Sequence, residues 1–190
     1  LAIGKIKDGA VEARVHPTMI DKGNILSSVR GSLNAITVTG DAVGDILVSG
    51  RGAGMMPTAS AAVGDTVDIA RNLLLGIKRR IPLLSCQPEN IRRIPVIPME
   101  EISTHYYIRF SALDQPGVLS KISGILGDHD ISIKSVQQKG RKQNGSVPIV
   151  MLTHRAIEAS VQQALSAIAK LNVISRKPVL IRIEDENEED

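Results

Sequence analysis

The stretch Gly50-Arg51-Gly52-Ala53-Gly54-Met55-Met56-Pro57-Thr58 is rich in glycine, and the small side chains Ala59, Ser60, Ala61, Ala62 and Gly64 follow it. Glycine lets a backbone approach a ligand closely, and small side chains let a helix lie near another backbone or a bound molecule. The chemistry this suits is contact with a cofactor, although the same residues also make an ordinary tight turn. Asp114-Gln115-Pro116-Gly117-Val118-Leu119 is the second candidate. It reads as the opening of a helix, where free N–H groups and partial positive charge attract a carboxylate. Gly117 would let the ligand come near, with Val118 and Leu119 supplying amides. The plainer alternative is that Asp114 caps the helix and Pro116 starts it.

Glu12, Arg14 and His16 fall on one face of a strand, at a spacing open to metal or acid–base work and equally to a solvated or interface face. His105, His129 and His154 lack ligand-like spacing, so no metal is expected. Cys86 is the single cysteine. It excludes an internal disulfide, fits a reducing, cytoplasmic compartment, and has no nearby histidine to make it a nucleophile.

The elements that must position these residues follow from periodicity. Residues 3–20 read as a β-hairpin turning at Asp8-Gly9, with Pro17 ending the ladder. A short helix over 24–29 would be capped by Asn24, with Gly31 past its end. Strands at 35–38 and 46–49 flank a turn at 40–44. A helix over 58–75 carries Ala59, Val63, Val67, Ala70 and Leu74 at helical spacing. Pro82, Pro88, Pro95 and Pro98 make 76–104 a partly extended linker.

From 105 to 184 the pattern is β-α-β-β-α-β. Tyr106, Ile108, Phe110 and Ala112 alternate along the first strand, and Val118, Ile122, Ile125 and Leu126 stripe the first helix. Strands at 131–138 and 147–153 flank a polar turn at 139–145. Ile157, Val161, Leu165, Ile168 and Leu171 stripe the second helix, and a strand at 179–183 closes the module. That order predicts a ferredoxin-like sheet with both helices on one face. The module is small, so its bare sheet face invites self-association.

Of the 190 residues, 43% are apolar, and no apolar run is long enough for a membrane span. The formal charge is +3, but the tail from Glu184 holds six acids and no base, leaving +9 elsewhere (23 basic against 14 acidic residues). Lys78, Arg79, Arg80, Arg92 and Arg93 could suggest nucleic acid, yet Tyr106, Tyr107 and Phe110 are the only aromatic residues. A stacking platform is therefore hardly available, and no nucleic-acid partner is expected. The chain opens Leu-Ala-Ile-Gly-Lys-Ile, with no Met and a strand pattern at once, which reads as a chain cut into.

Two resemblances sharpen this reading. Asp-Gln-Pro-Gly-Val-Leu at 114–119, followed by Ile122, Ile125 and Ile131-Ser132-Ile133, resembles the ACT domain pattern over about 105–184. Ala13-Arg14-Val15-His16-Pro17-Thr18-Met19-Ile20, Asn34-Ala35-Ile36 and the 50–61 stretch resemble the end of the homoserine dehydrogenase catalytic domain. The implied fold is α+β: a partial catalytic α/β-type sheet segment at 1–75, the 76–104 linker, a ferredoxin-like βαββαβ ACT domain at 105–184, and an acidic tail at 185–190.

The implied activity is that of an oxidoreductase of amino-acid biosynthesis interconverting aspartate semialdehyde and homoserine with NAD or NADP. The resemblance puts Gly52, Ala53 and Gly54 at the cofactor. It puts Asp114, Gln115, Pro116, Gly117, Val118 and Leu119 at an amino-acid effector, for which threonine, the pathway product, is the natural choice. The family's dinucleotide fingerprint, substrate acids and catalytic lysine would lie upstream of Leu1. This chain alone is then expected to be inactive, to bind no cofactor tightly and to form a homo-oligomer. Gly50-x-Gly52 is not that fingerprint, because Met55 stands where its third glycine would be. The alternative is a non-catalytic ACT-type amino-acid-binding module.

Overall fold

The computed structural model describes residues 1–77, 87–138 and 145–184. Lys78, Arg79, Arg80, Pro82, Cys86, most of the polar turn at 139–145 and the acidic tail at 185–190 lie outside the described residues. The chain forms two compact units, Leu1–Asp21 with Ile94–Asp190, and Lys22–Arg93.

The first unit opens on an antiparallel hairpin of β1 (Ala2–Lys7) and β2 (Ala10–Val15). Asp8 and Gly9 both take left-handed backbone, φ 50° and 78°, as a tight two-residue turn between twisted strands requires. The hairpin is shorter than the sequence predicts. Pro17 has no N–H to continue the ladder, and Thr18–Ile20 forms a separate strand, β3, parallel to the last strand of the chain. Part of the predicted linker is built in as well. Val11 donates to the Pro95 carbonyl at 2.9 Å and accepts from Ile97 at 2.8 Å, and Ile102 is fully buried. The compact units thus cut across the linear division into 1–75, 76–104 and 105–184.

Strand β6 (Ser103–Leu113), helix α2 (Val118–Asp128), β7 (Ile133–Gln138), β8 (Ser146–Thr153), the two-residue β9 (Ala156–Ile157), α3 (Glu158–Ile168) and β10 (Ile174–Glu184) complete the unit. The sheet order is β3-β10-β6-β8-β7, with β9 beside the start of β6. Its last four strands form an antiparallel ferredoxin-like arrangement. Tyr106, Ile108, Phe110 and Ala112 line the core face of β6, and Phe110 opposes Ile149 while Ile108 opposes Met151. Helix α2 buries Val118, Ile122 and Leu126, and α3 buries Val161, Ala164, Leu165 and Ile168. Each of these Val, Leu and Ile side chains contributes roughly 1.5–3 kcal/mol over an exposed one, and Ala164 less.

Helix α2 ends in a Schellman turn. Asp130 is left-handed at φ 58°, its amide donates to Gly127, and the Ile131 amide donates to Leu126. Buried Leu126 and Ile131 seal it. Strand β10 begins five residues before the predicted 179, because register shifts between Ile174 and Val179 accommodate Pro178.

In the second unit, Asn24 caps a 3-10 turn at Ile25–Ser28, its side chain accepting from the Leu26 amide at 2.9 Å. Strands β4 (Leu33–Gly40) and β5 (Gly44–Arg51) pair antiparallel, and α1 spans Met55–Leu74. The helix starts three residues before the predicted Thr58. Pro57 falls in its first turn, where an amide has no intrahelical partner to lose. Among the described residues this unit has no buried side chain. Val63, Ile69 and Leu73 of α1 and Ile36 and Val48 of the ribbon are all well exposed.

Candidate functional site

At the start of α2 the chain leaves β6 through Asp114, Gln115 and Pro116. Gln115 donates to the Leu113 carbonyl at 3.0 Å, and Gly117 takes the left-handed conformation, φ 82°. The helix begins at Val118, so Pro116 lies before the cap and outside the helix, contrary to its expected place as first helical residue. The cap is Gly117, and no side chain, Asp114 included, caps the helix. Among the described residues no side chain caps the first-turn amides, which carry the positive end of the helix dipole; Val118 donates only to the Gln115 carbonyl, at 3.4 Å.

These residues line a depression of about 300 Å³ together with Leu113, Leu119, Gln138 and Ile149. The structure thus brings Asp114, Gln115, Pro116, Gly117, Val118 and Leu119 together. It adds Gln138 from β7 and Ile149 from β8, which oppose each other in register. A Cβ on Gly117 would meet nothing within 4 Å, so the position is open to a ligand, while its φ disfavours any other residue. An uncovered amide turn, a carboxylate at Asp114, a side-chain amide at Gln138 and an apolar floor at Ile149 suit a small zwitterion.

Gly52, Ala53 and Gly54 form the exposed loop between β5 and α1. Gly54 caps α1 with φ 124° and ψ 153°, backbone that L side chains rarely adopt. A Cβ on Gly52 would lie 2.6 Å from Asn34 Nδ2. Gly54 therefore has a reason within the chain, its cap conformation, whereas at Gly52 an added Cβ would require only that the exposed Asn34 amide swing aside. The loop is exposed.

Glu12, Arg14 and His16 are drawn into an ionic cluster. Arg14 Nη2 donates to Glu184 Oε2 at 2.5 Å, and its Nη1 is 3.4 Å from His16 Nε2. Arg14 Nε and Glu12 Oε1 are 2.7 Å apart but not aligned as a hydrogen bond. Burial, with the charges of Arg182 and Arg14, holds the His16 imidazole below its ordinary pKa despite an opposing contact with the Pro17 carbonyl. No group of three or more metal-ligating side chains occurs among the described residues, and no helix there is long and apolar enough to cross a membrane.

The family model of homoserine dehydrogenase matches residues 2–67, and that of the ACT domain matches 106–173. A homoserine dehydrogenase of Pseudomonas aeruginosa is 40% identical over 188 residues, covering 98% of this chain and 43% of that relative. One of Neisseria gonorrhoeae is 40% identical over 174 residues, covering 92% and 40%. The crystal structure of a homoserine dehydrogenase from Thiobacillus denitrificans superposes with a TM-score of 0.84 at 40% identity, over 97% of this chain and 41% of that one. The chain thus spans about two fifths of the length of these relatives, matching their C-terminal part.

Proposed function

The chain belongs to the homoserine dehydrogenase family as a counterpart of its C-terminal portion, and on that premise we propose that it joins the end of a catalytic domain to an ACT domain that senses an amino acid, threonine. Within an enzyme that carries the remainder, the reaction is the NAD- or NADP-dependent interconversion of aspartate semialdehyde and homoserine. The nicotinamide supplies or accepts the hydride. This chain's contribution is the Gly52-Ala53-Gly54 loop, whose exposed backbone at the start of α1 is available to a cofactor. Residues 1–75 belong to the catalytic segment and 105–184 to the sensor.

The observation that carries the sensor reading is the depression at α2. An amino-acid carboxylate would meet the amides around Gly117, Val118 and Leu119, of which Val118 would exchange its long bond to the Gln115 carbonyl, and its ammonium would meet Asp114. Calorimetric titration of the chain with threonine tests this: saturable binding that glycine fails to reproduce is expected, and no heat from a demonstrably paired chain would refute it. The 190-residue chain alone should not turn over homoserine with either nucleotide, because the family's fingerprint and catalytic lysine have no counterpart in the matched portion. A steady change in nicotinamide absorbance at 340 nm on mixing chain, homoserine and NAD or NADP would overturn that.

Pairing should run along β7. The sheet ends at β3 and β7, and the open part of β10 is guarded by Arg176, Lys177, Pro178 and register shifts. Strand β7 carries Lys134 and a register shift only at its start; from Ser135 to Gln138 it pairs with β8 in continuous register, and its Val136 is 39% exposed. Because Gln138 of β7 also lines the depression, pairing there would set a second subunit beside the effector. Val136→Lys should shift the chain toward monomer in sedimentation velocity at matched concentration. An unchanged mass distribution would exclude this edge.

A further inference from the structure

Strand β2 turns a charged pair inward. Glu12 and Arg14 are 8% and 6% exposed, whereas Ala13 and Val15 face solvent. The chief partner of that face is Glu184, the last residue of β10, which takes Arg14 at 2.5 Å and also pairs with Lys5 of β1. The same end of β10 pairs by backbone with β3, Arg182 beside Thr18, Ile183 beside Met19 and Glu184 beside Ile20. Three residues of the sensor's final strand thus hold residues 18–20 by main chain and the hairpin by charge, the hairpin being tied also by the backbone bonds of Val11 to Pro95 and Ile97. None of the buried apolar side chains, which run from Ile102 to Ile168, comes from residues 1–21.

We propose that residues 1–21, the start of the catalytic segment, are an arm docked on the ACT half, and that Arg14 and Lys5 on Glu184 form a releasable latch linking β10 to the chain that continues beyond Ile20. A joint without an apolar core separates without unfolding what it docks on, as polar interdomain contacts do. A buried ion pair fixes geometry more than it stabilises, because the attraction mostly offsets desolvation. Opening the latch would leave the edge of β10 at 182–184 unpaired. The latch stands whether or not the depression at α2 binds an amino acid.

Amide hydrogen exchange on the full chain, read by mass spectrometry, tests this with Glu184→Gln, Arg14→Gln, the double variant and Lys5→Gln. Either buried-site single variant should speed exchange of residues 2–20 by about tenfold or more while β6 and β8 keep their protection. The double variant should accelerate exchange by less than the product of the two single effects, since both substitutions remove the same contact. Lys5→Gln, which leaves the buried pair intact, should give a smaller acceleration confined to the same residues. Unchanged exchange of 2–20 in Glu184→Gln would overturn the latch. So would equal acceleration in β6 and β8, which would make the pair a support of the whole fold. If both buried-site variants fail to fold, unchanged exchange in Lys5→Gln overturns it.

Discussion

Gly117→Val is expected to weaken amino-acid binding by the chain at least about 100-fold, equivalent to roughly 2.7 kcal/mol. Two effects act in the same direction. At φ 82° a β-branched residue is strained, so the turn that presents the amides of α2 would relax toward another conformation. If the turn holds, the new methyl groups project into space with no protein atom within 4 Å of the Cβ position, where the ligand's carboxylate is placed. Gly117→Ala should cost less, because it carries the strain with less bulk. Gly124→Ala is the control. It lies inside α2 with open space around its Cβ and no positive φ, so stability should rise by up to about 1 kcal/mol with binding unchanged. Threonine affinity in Gly117→Val equal to that of the parent chain would show that the depression is only the start of a helix.

What the sequence could show was what repeats locally. The stripe of α2, the alternation along β6 and Val161, Leu165 and Ile168 of α3 mark buried faces where periodicity puts them, but the two ends of the second stripe fall outside the helix: Ile157 is 52% exposed in β9 and Leu171 follows the last turn. Asp8-Gly9 names its own turn because few dipeptides accept two left-handed residues. The start of α1 was hidden because Gly-Met-Met-Pro reads as loop until Pro57 is seen to occupy a first turn. Strand β3 was hidden for a different reason: three residues carry no period, and its partner lies some 160 positions away.

The candidate site divides in the same way. Asp114 to Leu119 are contiguous and legible, whereas Gln138 and Ile149 join them only through the register of β7 on β8. Glu12, Arg14 and His16 showed a charged face and nothing of its partner, since Glu184 is 170 residues from Arg14. Glu158 was the least legible residue. A glutamate in the first turn of a helix reads as solvated, and its burial follows only from two strands that meet it from elsewhere in the chain.

Those two strands set up the larger stability effect. The Glu158 side chain is 5% exposed and accepts from Tyr106 Oη at 2.9 Å, Gln162 Nε2 at 2.7 Å, and Arg182 Nε and Nη2 at 2.8 and 2.5 Å. It ties α3 to β6 and β10. Burial alone would raise its carboxyl pKa, but hydrogen bonds from Arg182, Gln162 and Tyr106 outweigh burial and hold it below the ordinary value. Burial and the neighbouring carboxylate push the Tyr106 phenol up, so it stays a donor. Glu158→Ala would strand a partly buried guanidinium and a buried phenol, at a cost of about 3–5 kcal/mol. That is a large share of what a module of this size has, so the ACT half should be mostly unfolded near 37 °C. Glu158→Gln keeps the shape and loses the charge, and should cost less. It also isolates the titration. A carboxyl whose folded pKa is depressed stabilises above its unfolded pKa, and that contribution is lost as pH falls through the folded value. Melting temperature should therefore drop more steeply on acidification below the ordinary glutamate range in the parent chain than in Glu158→Gln. Parallel acid profiles, or Glu158→Ala melting with the parent, would mean that this network contributes nothing the apolar core does not already supply.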